Sequence, residues 1–218
     1  MGRMDFFLYM TRFKSLQKLS KEEIEEAVRS ANDFFGMPFP RIQDNTYVSE
    51  GGTLFASSNP HSYDDDWICY DMAELAALNV NTLNALSLIL SHEATHRRTQ
   101  GYKFPGPQKG AYAKECISDW YMGVRAGLQG MKDISNVIEG LGTTEGCKTH
   151  PAGFIRKQFV VDGVGKGVLN KHHSGANFEF FINDFKTFYQ KMLPTIEKEY
   201  PKYYSLMERF GNRKDFDF

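Results

Sequence analysis

The residues of this 218-residue chain best suited to chemistry are His92-Glu93-Ala94-Thr95-His96, an H-E-x-x-H pentapeptide. On an α-helix, positions i and i+4 share a face, with Cβ atoms about 5–6 Å apart. Two imidazoles so placed can bind one tetrahedral Zn²⁺ and leave room for a third protein ligand and a water. Glu93 follows the first histidine, where its carboxylate can take a proton from that water.

The pentapeptide needs a helix, and its surroundings supply one. Leu83, Leu86, Ile89, Leu90 and Ala94 recur at helical spacing, and Leu88 adds apolar surface on another side. A helix apolar nearly all round is a buried one. Arg97 and Arg98 suit its C-terminus and Gly101 suits the residue just beyond. Buried histidines and a buried glutamate are costly without a partner, and a metal removes that cost.

Two histidines leave a zinc site incomplete. Glu115-Cys-Ile-Ser-Asp119 lies in the next strongly helical stretch, 110–130, where Ala111, Cys116, Trp120 and Val124 are apolar at helical intervals. Glu115 and Asp119 share one face, and like charges so placed are mildly destabilising without a cation. The intervening chain is long enough for a loop and an antiparallel return, so Glu115 can complete a His₂Glu site. Asp119 is then placed to accept a hydrogen bond from the far ring nitrogen of a ligand histidine, with His92 the expected partner.

With H-E-x-x-H followed by E-x-x-x-D on a second helix, the sequence resembles the gluzincin metallopeptidases. Thr149-His150-Pro151-Ala-Gly-Phe-Ile-Arg156 is similar to the T-H-P-x-x-x-x-R segment of one gluzincin family and its minimal, soluble relatives. The three motifs span roughly a third of the chain. The resemblance implies an α+β fold: a mainly helical zincin-like domain with a small sheet over the active-site helix, its edge strand able to hold an extended peptide. It also implies His92, His96 and Glu115 as Zn²⁺ ligands, Glu93 as general base, and Asp119 as support behind a ligand. His150, Arg156 or Tyr112 would stabilise the oxyanion. Serine replaces the usual alanine before Asp119, and the first 70 residues and the Phe-rich tail have no counterpart in the pattern.

The rest of the chain bounds these readings. At 41% hydrophobic and 24% charged, it suits one globular metallopeptidase domain over 1–218, with 177–218 as a helical C-terminal extension packed on it. A net charge of −1 gives no electrostatic reason to expect nucleic acid or an anionic membrane. No apolar run reaches the ~18 residues that span a bilayer. The N-terminal stretch is too broken by charge for a secretory signal, and three widely spaced cysteines favour free thiols, so the expected location is the cytoplasm. Cys116 reads as a packed thiol.

Ser20-Lys-Glu-Glu23 reads as a capping box opening an amphipathic helix. Residues 38–71 read as two or three short strands, with the edge strand near Trp67 to Asp71 and Asp64-Asp65-Asp66 in a solvated turn. Short helices are expected at 72–78 and 133–139, a loop at 101–110, and a helix at 150–164. Pro194 and Pro201 should divide the aromatic tail into shorter helices. His61, His172 and His173 remain; the last two read as a solvated loop, or as a loop reaching the cleft with a proton donor. The function expected is peptide-bond hydrolysis of a peptide or protein substrate through a zinc-activated water. The alternatives are a peptide-binding or regulatory module with a vestigial zinc fold, or a toxin or defence factor cleaving one protein.

Overall fold

The computed structural model describes residues 20–44, 54–59, 62–70, 82–99, 102, 107–146 and 150–199. In chain order these form α1 (Lys21–Phe34), β1 (Arg41–Asp44), β2 (Leu54–Asn59), β3 (Ser62–Tyr70), α2 (Leu83–Arg98), α3 (Pro107–Gln129), α4 (Ser135–Gly142), α5 (Gly153–Leu169) and α6 (Phe178–Glu199). The expected helix at 72–78, His61, Cys147, Thr149 and Pro201 lie outside the described residues.

Ser20 caps α1 as its sequence requires: its hydroxyl accepts from the Glu23 N–H at 3.2 Å, and the Glu23 carboxylate accepts from the Ser20 N–H at 2.7 Å. Ile24, Ala27, Val28 and Ala31 then bury one face of the helix. Thr82 caps α2 in the same manner, through the Ala85 N–H. Pro107 opens α3, a position where a missing N–H costs nothing; α3 therefore begins inside the stretch expected to be a loop.

At the centre is α3. From Glu115 to Gly127 it is buried on every side, packed against α2, α5 and α6. Its contact with α5 is unusually close. Gly123 and Gly127 on α3 face Gly163 and Gly167 on α5, and a Cβ at any of the four would come within 2.1–2.3 Å of a backbone oxygen of the facing helix. The aromatic residues of α6 close the other side. Phe178 stacks on Tyr121 at 4.0 Å, Phe181 and Phe185 meet Trp120 edge-on, and Tyr121 Oη donates to the Phe178 carbonyl at 2.7 Å. Phe178, Phe181, Phe185 and Tyr189 of the aromatic stripe are thus core, while Phe180 is exposed. Pro194 does not divide the tail: α6 runs through it, with Tyr189, Met192 and Ile196 buried on both sides of the lost hydrogen bond.

The expected α+β class with a small sheet over the active-site helix is corrected by this architecture. The described body is mainly helical, and its apolar core comes from helices and the residues bordering them. The strands pair in the order β1-β3-β2, with β1 parallel and β2 antiparallel to β3, and β2 runs beside α2. The edge expected near Trp67 to Asp71 is also overturned. Trp67 to Tyr70 belong to the middle strand, where Cys69 is flanked by Gln43 and Phe55, and Asp71 lies outside the described residues. Asp64-Asp65-Asp66 lies in β3 rather than in a turn.

The glycine seam predicts opposite signs for two similar substitutions. Gly163→Ala should destabilise the domain by about 1–3 kcal/mol, because the new methyl meets the Trp120 carbonyl and its backbone neighbours. Gly165→Ala, exposed on α5 with nothing within 4 Å of the new Cβ, should stabilise it by about 0.5–1 kcal/mol. Urea unfolding of both variants checks this, and equal effects would count against the close helix approach.

Candidate metal centre

The site is assembled by α2, α3 and the start of α5. One side of α2 carries Ser87, Ser91, Thr95 and Thr99, a row of buried hydroxyls at i, i+4 spacing. Ser91, Thr95 and Thr99 each donate to the carbonyl four residues earlier, at 2.6–2.8 Å. Arg125 from α3 donates to the Ser87 carbonyl at 2.9 Å and to Ser91 Oγ at 2.7 Å, and Arg97 donates to Asn32 Oδ1 and the Pro38 carbonyl. These contacts fix α2 against its neighbours. With that row buried, His92, Glu93 and His96 lie on other positions of the helix.

His92 and His96 turn their Nε2 atoms toward each other, 2.9 Å apart. Glu115 meets both: Oε2 is 3.3 Å from His92 Nε2, and Oε1 is 3.3 Å from His96 Nε2. One ligand atom from each of the three residues can be chosen so that all lie within 4.8 Å of one another. Atoms held about 2.1 Å from one tetrahedral ion stand roughly 3.4 Å apart, so the cluster fits a zinc ion with little adjustment. Glu115 Oε2 is buried and makes no well-aligned hydrogen bond, although His92 Nε2 and His150 Nε2 stand 3.3 Å away; a cation among them would satisfy it. Two imidazoles and one carboxylate are also a donor set that zinc favours.

Behind the cluster runs a chain of charge. Asp119, fully buried, has Oδ1 2.9 Å from His92 Nδ1. Arg156 grips Asp119 with two donors, Nε to Oδ2 at 2.7 Å and Nη2 to Oδ1 at 2.9 Å. Expected as one candidate for the oxyanion, Arg156 instead has its guanidinium fork committed to Asp119; its Nη2 is 3.6 Å from Glu115 Oε2. His150 stands at the start of α5 with Nε2 3.3 Å from the same Glu115 oxygen, and its side chain is 45% exposed, the most open of the group. Tyr112 is on α3, three residues before Glu115, and buried. The spacing Glu115, Ser118, Asp119 puts a third polar side chain on this side of α3. Ser118 Oγ lies 3.2 Å from His96 Nδ1. The i+3 relation to Glu115 was a usable signal for Ser118 that the sequence reading passed over.

Three groups elsewhere take no part in the cluster. His173 accepts from the Gly175 N–H in an exposed turn and tilts its ring over Phe180, and His172 is exposed beside it. Cys116 is a buried free thiol whose pKa burial pushes well up.

Charge shifts follow this geometry. Burial disfavours the His92 imidazolium, but the Asp119 and Glu115 carboxylates outweigh it and raise the pKa to about 10. Burial also opposes ionisation of Glu115, yet His92 and His96 hold its carboxyl well below the usual range. Asp119 is likewise lowered against its burial, first by Arg156 and then by His92. Without metal, a proton on His92 occupies the place of the cation, and metal uptake must displace it.

No protein-family model, curated protein or solved structure matches this chain. Among the described residues, no helix is long and apolar enough to cross a membrane.

The raised His92 pKa sets the sign of a pH effect on the metal-free protein. A folded-state pKa lifted from 6.5 to about 10 gives stability that is complete below pH 6.5 and lost as pH rises through 10. The lowered Glu115 pKa adds stability that is present above 4.5 and lost in acid. Urea unfolding of chelator-treated protein should therefore show stability falling from pH 6.5 to 10. The fall should be much reduced in Asp119→Asn. A wild-type profile flat across that interval would contradict the His92–Asp119 pairing.

Proposed function

We propose that this protein is a zinc-dependent peptidase of gluzincin type, hydrolysing a peptide or protein substrate in the cytoplasm. The observation that carries the reading is the convergence of His92 Nε2, His96 Nε2 and the Glu115 carboxylate, with Glu93 next to His92 on the same helix. A purely structural zinc site has no need of that carboxylate. His92, His96 and Glu115 would hold the ion. Zn²⁺, when bound, supplies the Lewis acidity that acidifies a water and polarises a carbonyl.

The remaining chemistry belongs to this chain's side chains. Glu93, 8% exposed, would take a proton from the attacking water and deliver it to the leaving amine. Its burial keeps bulk water from competing for that proton. Asp119 keeps the His92 ring oriented, with Nδ1 facing the carboxylate and Nε2 turned toward His96 and Glu115, where it would help hold the ion. Arg156 neutralises Asp119, which otherwise would be an unpaired buried charge. His150, half-exposed beside Glu115, is the side chain we assign to the developing oxyanion, a role worth several kcal/mol in sites of this kind. The near-neutral charge of the chain fits a substrate other than nucleic acid.

The test is elemental analysis of protein purified without added metal, followed by identification of new N-termini in a protein mixture incubated with it. One zinc per chain and new termini are expected; zinc far below one equivalent that dialysis against zinc does not restore would defeat the reading. Glu93→Gln should keep fold and zinc while cleavage drops by at least about 10²-fold. Cleavage at the wild-type rate would remove Glu93 from the mechanism.

Glu115 and Asp119 should separate by degree. Glu115→Ala leaves two protein ligands, and zinc binding should largely fail. Asp119→Asn keeps an acceptor for His92, and affinity should fall by about 10- to 100-fold. Chelator competition orders the two. A greater loss in Asp119→Asn would exchange their roles.

A further inference from the structure

The two histidines of the cluster are held from behind by different chemistry. His92 Nδ1 faces Asp119, a carboxylate that only accepts and that Arg156 neutralises. His96 Nδ1 faces the Ser118 hydroxyl at 3.2 Å, its partner among the described residues. Ser118 is fully buried, while the His96 side chain is 23% exposed. Buried hydroxyls on α2 turn back to their own helix: those of Ser91, Thr95 and Thr99 donate to the carbonyl four residues earlier. The Ser118 hydroxyl departs from that habit and leaves α3 for the neighbouring helix.

A neutral imidazole carries one ring proton, and a hydrogen bond at one nitrogen decides which nitrogen keeps a lone pair. For His96 Nε2 to present a lone pair to an ion, the proton must sit on Nδ1 and find an acceptor there. We propose that Ser118 is a positioning residue of the metal site: its Oγ accepts the His96 Nδ1–H and so fixes the tautomer that points the Nε2 lone pair at the cluster. The inference rests on the zinc reading and deepens it. A neutral acceptor also holds the second ligand without adding another buried negative charge beside Asp119, which already requires Arg156.

Zinc affinity of the full chain, by chelator competition, and the His96 ring protons of the zinc-loaded protein, by ¹⁵N-histidine NMR, test this on wild type, Ser118→Ala and Ser118→Thr. Ser118→Ala should bind zinc about tenfold more weakly, the low end of the effect of removing such support. Its His96 Nδ1–H should exchange faster with solvent while the His92 Nδ1–H is unchanged. Ser118→Thr keeps the hydroxyl and should return both readings toward wild type. Wild-type affinity and an unchanged His96 signal in Ser118→Ala would overturn the positioning role, as would equal losses in the alanine and threonine variants, which would trace to packing. Wild-type protein that takes up no zinc would instead defeat the zinc reading itself.

Discussion

A carboxylate with no exposure to solvent sits in the middle of this domain, and a buried charge of that kind survives only with partners. Asp119 has two. Arg156 reaches it from α5 with a pair of donors, and His92 reaches it from α2 with one ring nitrogen. Three helices, α2, α3 and α5, are thereby tied to one point. Loss of the Arg156 contact would leave Asp119 to His92 alone, and loss of Asp119 would free the His92 ring. The charges of Asp119 and Arg156 cancel, so the ion would meet one net negative group, Glu115, and two neutral imidazoles. That balance leaves a bound Zn²⁺ with excess positive charge, the condition in which it polarises what lies beside it.

What brings Arg156 within reach is the seam between α3 and α5. Helix axes normally stand 8–10 Å apart, at a distance set by the side chains between them. With glycine on both sides at two successive levels, backbone meets backbone. Arg156 and Asp119 lie on the same two helices, toward the N-terminus of each glycine series in sequence. Their bidentate contact and the seam therefore depend on one interhelical spacing.

Much of the site was legible because its spacing is helical. His92, Glu93 and His96, then Glu115 and Asp119, could be placed on shared faces by counting, since i, i+4 geometry on a long helix is nearly invariant. The capping box at Ser20 was readable for the same reason: it is local. The strand region was not legible in detail, because alternation of apolar and polar residues says little about which strand is central. Trp67 to Tyr70 look like an edge in sequence, yet β1 and β2 pair on both sides of them. Pro194 misled because a single lost hydrogen bond weighs less than the burial of Tyr189, Met192 and Ile196 around it. Arg156 was one of several candidates for the oxyanion, since nothing local reveals that a carboxylate 37 residues earlier takes up its donors. Glycine at 123, 127, 163 and 167 signalled close packing only once the two helices were seen to be neighbours.

The seam also governs how the site can move. Side chains between helices act as compliant spacers: they change rotamer, and the helices slide or tilt by fractions of an ångström at little cost. Between Gly123 and Gly163 there is no such spacer, and any approach runs directly into carbonyl oxygens. Compression along this line is steeply resisted, as in closely packed interiors generally. α3 and α5 should thus respond to heat or to an occupant of the cleft as one body. Whatever adjustment accommodates a ligand then falls to side chains, and to α2, which meets α3 without a glycine seam.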